Sequence, residues 1–295
     1  MESAARISAV APENEEATEA WSGVLFERFV EFRDLLVASL VQFGDEALRL
    51  HPPVPRDRVL DIGCGFGDTT QQLAQMVGHE GRATGVDVAE PFITASVAEA
   101  AEAGIKNIEF MAGDIQVMDL PGPFDYAFSR MGVMFFANPV AALRNIRESM
   151  APGGRLCAIV WRRKLDNPWL HRAEEVADRH LEKPEETDEP TCGPGPFSMA
   201  NADTVSHQLL IAGFEDPTFT RCDRQMKLGN DLDQAVALNM AIGPAAELIR
   251  LAAEQAEKIR PTLEREIRGV LADFEREDGT VYGNASTWIV SATAP

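Results

Sequence analysis

The sequence predicts an α/β fold: a doubly wound parallel sheet with helices on both faces and a helical cap over its ligand-binding edge. Three observations predict it. Between Arg58 and Trp161 short apolar runs alternate with helical stretches, the pattern of consecutive βα units. A turn rich in glycine (Gly63, Gly65, Gly67) follows the first run and opens the first helix, leaving the backbone free to turn tightly and approach a ligand. Amphipathic helical blocks lie before this core and inside its second half.

In chain order, the first twenty residues are acidic and weakly apolar, and residues 21–50 then carry apolar side chains at helical spacing, as one or two amphipathic helices would. Prolines in 51–58 end that block and connect it to the core. Runs at 58–63, 82–88, 108–114, 124–130 and 155–161 are the first five strands, with helices over 69–77, 91–104 and 139–150. A turn at Pro152-Gly153-Gly154 precedes the fifth strand. Residues 162–197 break the alternation as a helix and an acidic loop, an insertion in the core. A helix near 203–213 and a strand at 214–222 resume it, a helical block fills 231–277, and the strand at 287–292 closes it. The organisation expected is thus a helical cap segment over 1–55 and a core domain over 56–295, with cap insertions at about 163–200 and 229–280.

Length and composition bound the function. A 295-residue chain that is 45% hydrophobic can bury a substantial core. No run of about twenty apolar residues and no leader pattern appears, so a cytoplasmic protein without a membrane span is expected. The formal charge of -20 opposes binding to nucleic acid, which needs clustered Lys and Arg. Cys64, Cys157, Cys192 and Cys222 lack paired metal-ligand spacing and are expected as free thiols; the acidic stretch 182–190 reads as a solvated loop, and no metal is expected.

Ligands of such sheets bind at the carboxyl ends of the strands. Residues 59–68 (VLDIGCGFGD) put Asp68 where a dinucleotide fingerprint would have its third glycine, which argues against NAD. Asp87 ends the second run, where its carboxylate can accept both hydroxyls of a ribose with Val88 packing beside a base, although a strand-end Asp can also be a helix cap. Gly113 and Asp114 end the third run, again with capping as the alternative.

This ordered set resembles the class I S-adenosylmethionine-dependent methyltransferases. The strings SRMGVMFFANPVAALRNIRESMAPGGRL, DNPW, GPGPF and TWIVSA extend the resemblance over nearly the whole chain, to a bacterial group within the ubiquinone/menaquinone methyltransferase-like proteins. The resemblance implies a Rossmann-like seven-stranded sheet, with S-adenosyl-L-methionine as cofactor and S-adenosyl-L-homocysteine as product. It places Asp61, Gly63, Cys64 and Gly65 around the methionine end, and Thr69 could offer its hydroxyl or amide to the cofactor carboxylate. Asp114 would bind the exocyclic amine of adenine and the Ile115 amide a ring nitrogen, with Gly113 beside them; Ser129 joins the cofactor set from the end of the fourth strand. Trp21 would fold over the cofactor or pack in the core.

The sulfonium is already activated, so the protein must mainly align an acceptor and exclude water. Strand-end placement nominates Arg130, Met134, Phe135, Trp161, Asn167 and Trp169 for a small, partly apolar acceptor, with Arg130 either binding a carboxylate or tying down a loop. His171 is the base candidate; a solvent-facing helical histidine is the plainer reading. A non-catalytic cofactor-binding sensor and a protein-directed methyltransferase are the competing functions. Apolar helical faces fit an intrachain core or a homodimer equally well.

Overall fold

The structure, a computed structural model, describes residues 10–182 and 193–295. Cys192 and residues 183–190 of the acidic stretch lie outside the described residues.

Three helices precede the sheet where the periodicity predicts one or two: α1 (Glu15–Ser22), α2 (Val24–Glu31) and α3 (Arg33–Leu50). The breaks fall at Gly23 and Phe32, whose backbones leave helical geometry. The core then runs as β1 (Arg58–Ile62), α4 (Asp68–Val77), β2 (Arg82–Asp87), α5 (Glu90–Glu102), β3 (Ile108–Ala112), β4 (Phe124–Arg130), α6 (Pro139–Glu148) and β5 (Met150–Trp161). Helix starts carry recognisable signals. Gly67 caps α4 in a left-handed conformation, and Asn138 accepts from the Ala141 amide with Pro139 in the first turn of α6.

After β5 come α7 (Pro168–His180), α8 (Ala202–Ala212), β6 (Glu215–Gly229), α9 (Leu232–Ala241), α10 (Pro244–Leu251), α11 (Ala253–Leu271) and β7 (Val281–Thr293). The seven strands are ordered β3-β2-β1-β4-β5-β7-β6. The first five pair in parallel, and β7 runs antiparallel between β5 and β6. This is the Rossmann-like seven-stranded sheet that the resemblance implies.

Register brings the strand ends together. Asp61 lies opposite Gly85 and Phe128, Asp87 opposite Ala112, and Arg130 opposite Ile159, so the loops after β1 to β5 meet at one edge. Beneath them Leu60, Ile62, Phe128 and Ile159 are buried completely, each such side chain contributing about 1.5–3 kcal/mol by leaving water.

Three strands run five or more residues beyond the sequence reading, β7 among them, which begins at Val281 instead of 287 because its first residues pair with the far end of β6. β5 begins at Met150, so the Pro-Gly-Gly turn is an irregular first part of the strand, held where the Gly153 amide donates to the Ala294 carbonyl. β6 continues seven residues beyond Cys222 because its whole length pairs with β7; an antiparallel strand can leave one face in water, so its charges do not end it. Among the described residues no helix is long and apolar enough to cross a membrane, and Cys64, Cys157 and Cys222 are buried and free.

Candidate functional site

The turn after β1 is held by its own backbone. The Gly63 and Cys64 amides both donate to the Val86 carbonyl, at 2.8 and 3.1 Å. Gly63 has φ +65°, and a Cβ there would lie 2.9 Å from the Gly132 Cα, so the loops after β1 and β4 touch through glycine alone. The Gly65 amide donates to Asp87 Oδ2 and the Ala89 amide to Asp87 Oδ1, both at 3.0 Å. Burial pushes the Asp87 carboxyl up, and these amides pull it back.

Asp61 sits under the turn, its Oδ2 accepting from the Thr70 hydroxyl at 2.6 Å. Burial raises its pKa to about 7 against that hydrogen bond. The Cys64 thiol is pushed well above its ordinary value by burial and then by the Asp87 and Asp61 carboxylates, which keeps it protonated.

At the end of β3, Asp114 Oδ1 accepts from the Gln116 amide at 2.9 Å. Its Oδ2 accepts from the Ala11 amide and from Asn14 Nδ2, at 3.0 and 2.9 Å. The short turn Pro12–Asn14 ahead of α1 is therefore pinned across the strand ends, and Asn14 Oδ1 also accepts from the Ala137 amide. Trp21 stands edge-on to Phe135 and Phe29, with centroids at 4.9 and 5.4 Å. Arg33 lies over the Phe66 ring at 4.3 Å and pairs with Glu99, fastening the start of α3 to the glycine turn and to α5.

Beyond β4 the walls become side chains from distant segments. Arg130 pairs with Asp68 at 2.6 Å, joining the end of β4 to the first turn of α4, which is the loop-tying alternative foreseen for it. Met134 accepts from the Trp161 amide through its sulfur, and Trp161 meets Phe43 edge-on. Lys164 and Glu174 form a close ion pair.

These elements enclose one cavity of about 800 Å³. Its wall contains Gly63, Cys64, Gly65, Asp87, Val88, Gly113, Asp114 and Ile115 on the sheet side. Trp21, Arg130, Met134, Phe135, Trp161 and Trp169 complete the sequence-nominated residues that it gathers.

Five nominated residues are not on that wall. Asp61 is under the turn, as described. Thr69 is buried in the first turn of α4 with its hydroxyl unpartnered. The Ser129 hydroxyl donates to the Ile62 carbonyl and accepts from the Val133 amide, tying β1 to the loop after β4. Asn167 bonds the Ser286 backbone through both ends of its amide, a lock between α7 and β7. His171 Nε2 lies 3.8 Å from Glu175 on α7, away from the cavity.

The sequence reading missed Asn14, Arg28, Arg33, Asp68, Lys164 and Glu174, all of which line the cavity. Arg28 left one trace: it falls three residues after Leu25 on an otherwise apolar helical face. Asp68 stood out only as the departure from the dinucleotide fingerprint, and the others give no signal until the fold brings them together.

With this geometry in hand, the comparisons with known proteins agree. Residues 54–214, more than half of the chain, match the family model of a methyltransferase domain. The chain belongs to that methyltransferase domain family, and membership implies S-adenosylmethionine as cofactor. It is 34% identical over 114 residues to aklanonic acid methyltransferase DauC of Streptomyces sp. strain C5, covering 38% of this chain and 52% of that one. It is 30% identical over 122 residues to the demethylmenaquinone methyltransferase of Listeria monocytogenes serotype 4a, covering 40% and 51%. The chain thus spans about half the length of the curated relatives it matches. The YcgJ protein of Bacillus subtilis shares the fold at a TM-score of 0.56 and 14% identity, covering 87% of this chain and 97% of that one.

Proposed function

We propose that this chain transfers the methyl group of S-adenosylmethionine to a small, partly apolar acceptor held in the same cavity. One observation carries the reading: the glycine turn, Asp87 and Asp114 share a cavity with an apolar wall that includes Met134, Phe135, Trp161 and Trp169. The residues present fit the cofactor. Gly65 has open space where a Cβ would stand, and Asp87 keeps acceptor capacity beyond its two amides.

When bound, the cofactor supplies an electrophilic methyl on a sulfonium that departs as a neutral thioether. The protein's share is alignment and dryness. Asp87 orients a ribose, Asp114 and Ile115 face an adenine, and the Arg130 pair with Asp68 fixes the loop beneath the reacting end. Trp21 and Phe135 keep water out. No histidine lines the cavity among the described residues, so this reading routes no step through His171. In it α1 to α3, with residues 163–182, 193–200 and 229–280, act as the cap.

Calorimetric titration with S-adenosylhomocysteine and then NAD tests the cofactor half: micromolar binding of the first and none of the second is expected, and the reverse overturns it. S-adenosylhomocysteine formation that depends on an added metabolite extract tests the transfer half; binding without turnover would leave a sensor.

A further inference from the structure

The large cavity has a neighbour of about 540 Å³ between α2, α10 and α11, and Arg28 lines both. The smaller one is bounded by the cations Arg28, Arg250, Lys258 and Arg260. Three of these form ion pairs: Arg250 with Glu247, Lys258 with Glu254, and Arg260 with both Glu257 and Glu264. Arg28 is the remainder. Its Nη1 donates to the Ala241 carbonyl at 3.1 Å, and it forms no ion pair among the described residues. A guanidinium offers five N–H donors in a planar fork suited to an anionic oxygen group.

We infer that Arg28 anchors an anionic group of the acceptor, so that the acceptor is an apolar molecule bearing a carboxylate, sulfonate or phosphate. The inference rests on the methyl-transfer reading for the word acceptor, and on the cavity alone for the anion. The cofactor's own carboxylate does not explain Arg28. The glycine turn is served by Arg33 over Phe66 and by Arg130 at Asp68, whereas Arg28 reaches toward the end of α9 and the start of α10. Burial, then the nearby Arg250, lowers the Arg28 pKa, and the carboxylates of Glu247 and Glu31 act against them from beyond ion-pair distance. A half-buried cation beside an apolar cavity, with a backbone carbonyl but no ion-pair partner among the described residues, makes sense if a ligand supplies that partner.

Two fluorescent probes with one skeleton test this: 8-anilinonaphthalene-1-sulfonate, an anion, and neutral N-phenyl-1-naphthylamine. The wild-type chain, with and without saturating S-adenosylhomocysteine, should prefer the sulfonate. Arg28→Gln should weaken the sulfonate by about tenfold or more while leaving the neutral probe and S-adenosylhomocysteine within about twofold, which also shows that the variant is folded. Arg28→Lys should restore part of the preference. No sulfonate preference in the wild type, or a preference that survives Arg28→Gln, overturns the inference. Loss of S-adenosylhomocysteine binding in the wild type, with the probe contrast intact, would sink the methyl-transfer reading and leave the anion site standing.

Discussion

The two ends of the cavity are built in different ways. At the sheet end, short contiguous segments hold the wall through their own backbone: Gly63 and Cys64 amides on Val86, the Gly65 amide on Asp87, and Gly63 against Gly132. At the other end the wall is assembled from side chains of α2, α7, α10 and residues 193–197, segments separated by long stretches of chain. A backbone-built end fixes one ligand shape whatever the surrounding side chains, whereas a side-chain-built end can change its ligand by substitution. The proposed function puts a common cofactor at the first end and a particular acceptor at the second, in keeping with that difference.

Substitutions can break or sharpen the contrast. The largest effect is expected on the side-chain end. Trp169 is buried, and Trp169→Ala should destabilise the chain by about 3–5 kcal/mol in a urea titration. S-adenosylhomocysteine affinity of the folded variant should hardly move; a matching loss would show that the two ends are one mechanical unit.

Under the sheet end, Asp61 should leave a pH signature. Its folded pKa, about 7, stands above the ordinary 3.8. Below the ordinary value both states are protonated; as pH rises from there toward 7 only the unfolded chain releases the proton. Stability is therefore lost across that window, on the order of 2–4 kcal/mol, and levels off above it. Asp61→Asn should flatten this part of the profile, measured as urea midpoints between about pH 4.5 and pH 8. An unchanged slope would place the titrating group elsewhere.

Asp87→Ala should weaken S-adenosylhomocysteine binding by about 1.5–3 kcal/mol, since a carboxylate accepts charge-assisted bonds. Unchanged calorimetric affinity would move the ribose away from β2. The smallest effect is expected where the N-terminal turn meets the sheet end. Asn14→Ala removes one of two donors to Asp114 Oδ2 and should cost about 0.5–1.5 kcal/mol of stability without weakening S-adenosylhomocysteine. A tenfold affinity loss would instead make Asn14 part of the cofactor surface.

Legibility followed the same division. Asp87, Asp114 and the glycines were readable because each sits at a strand end or tight turn, where a local pattern fixes both conformation and place. Asn167 shows the limit: strand-end topology nominated it for an acceptor, but the Ser286 backbone, far away in sequence, consumes its amide. Arg28 left only a break in an apolar helical face, and Lys164 and Glu174 carried no pattern, because their roles depend on which segments pack beside them. The length of β6 was equally hidden, since only its partner β7 keeps a strand going through Asp223, Arg224 and Gln225.

By itself the sequence determined the alternating α/β core, the order of the parallel strands' chemistry and the glycine turn that lines the cavity, because those depend on hydrophobic period, glycine freedom and strand ends. Only the tertiary structure decided which polar groups are spent on backbone locks, and that Arg28 stands beside an apolar cavity with its guanidinium on the Ala241 carbonyl. Those outcomes are set by contacts between residues far apart along the chain, and no local pattern encodes them.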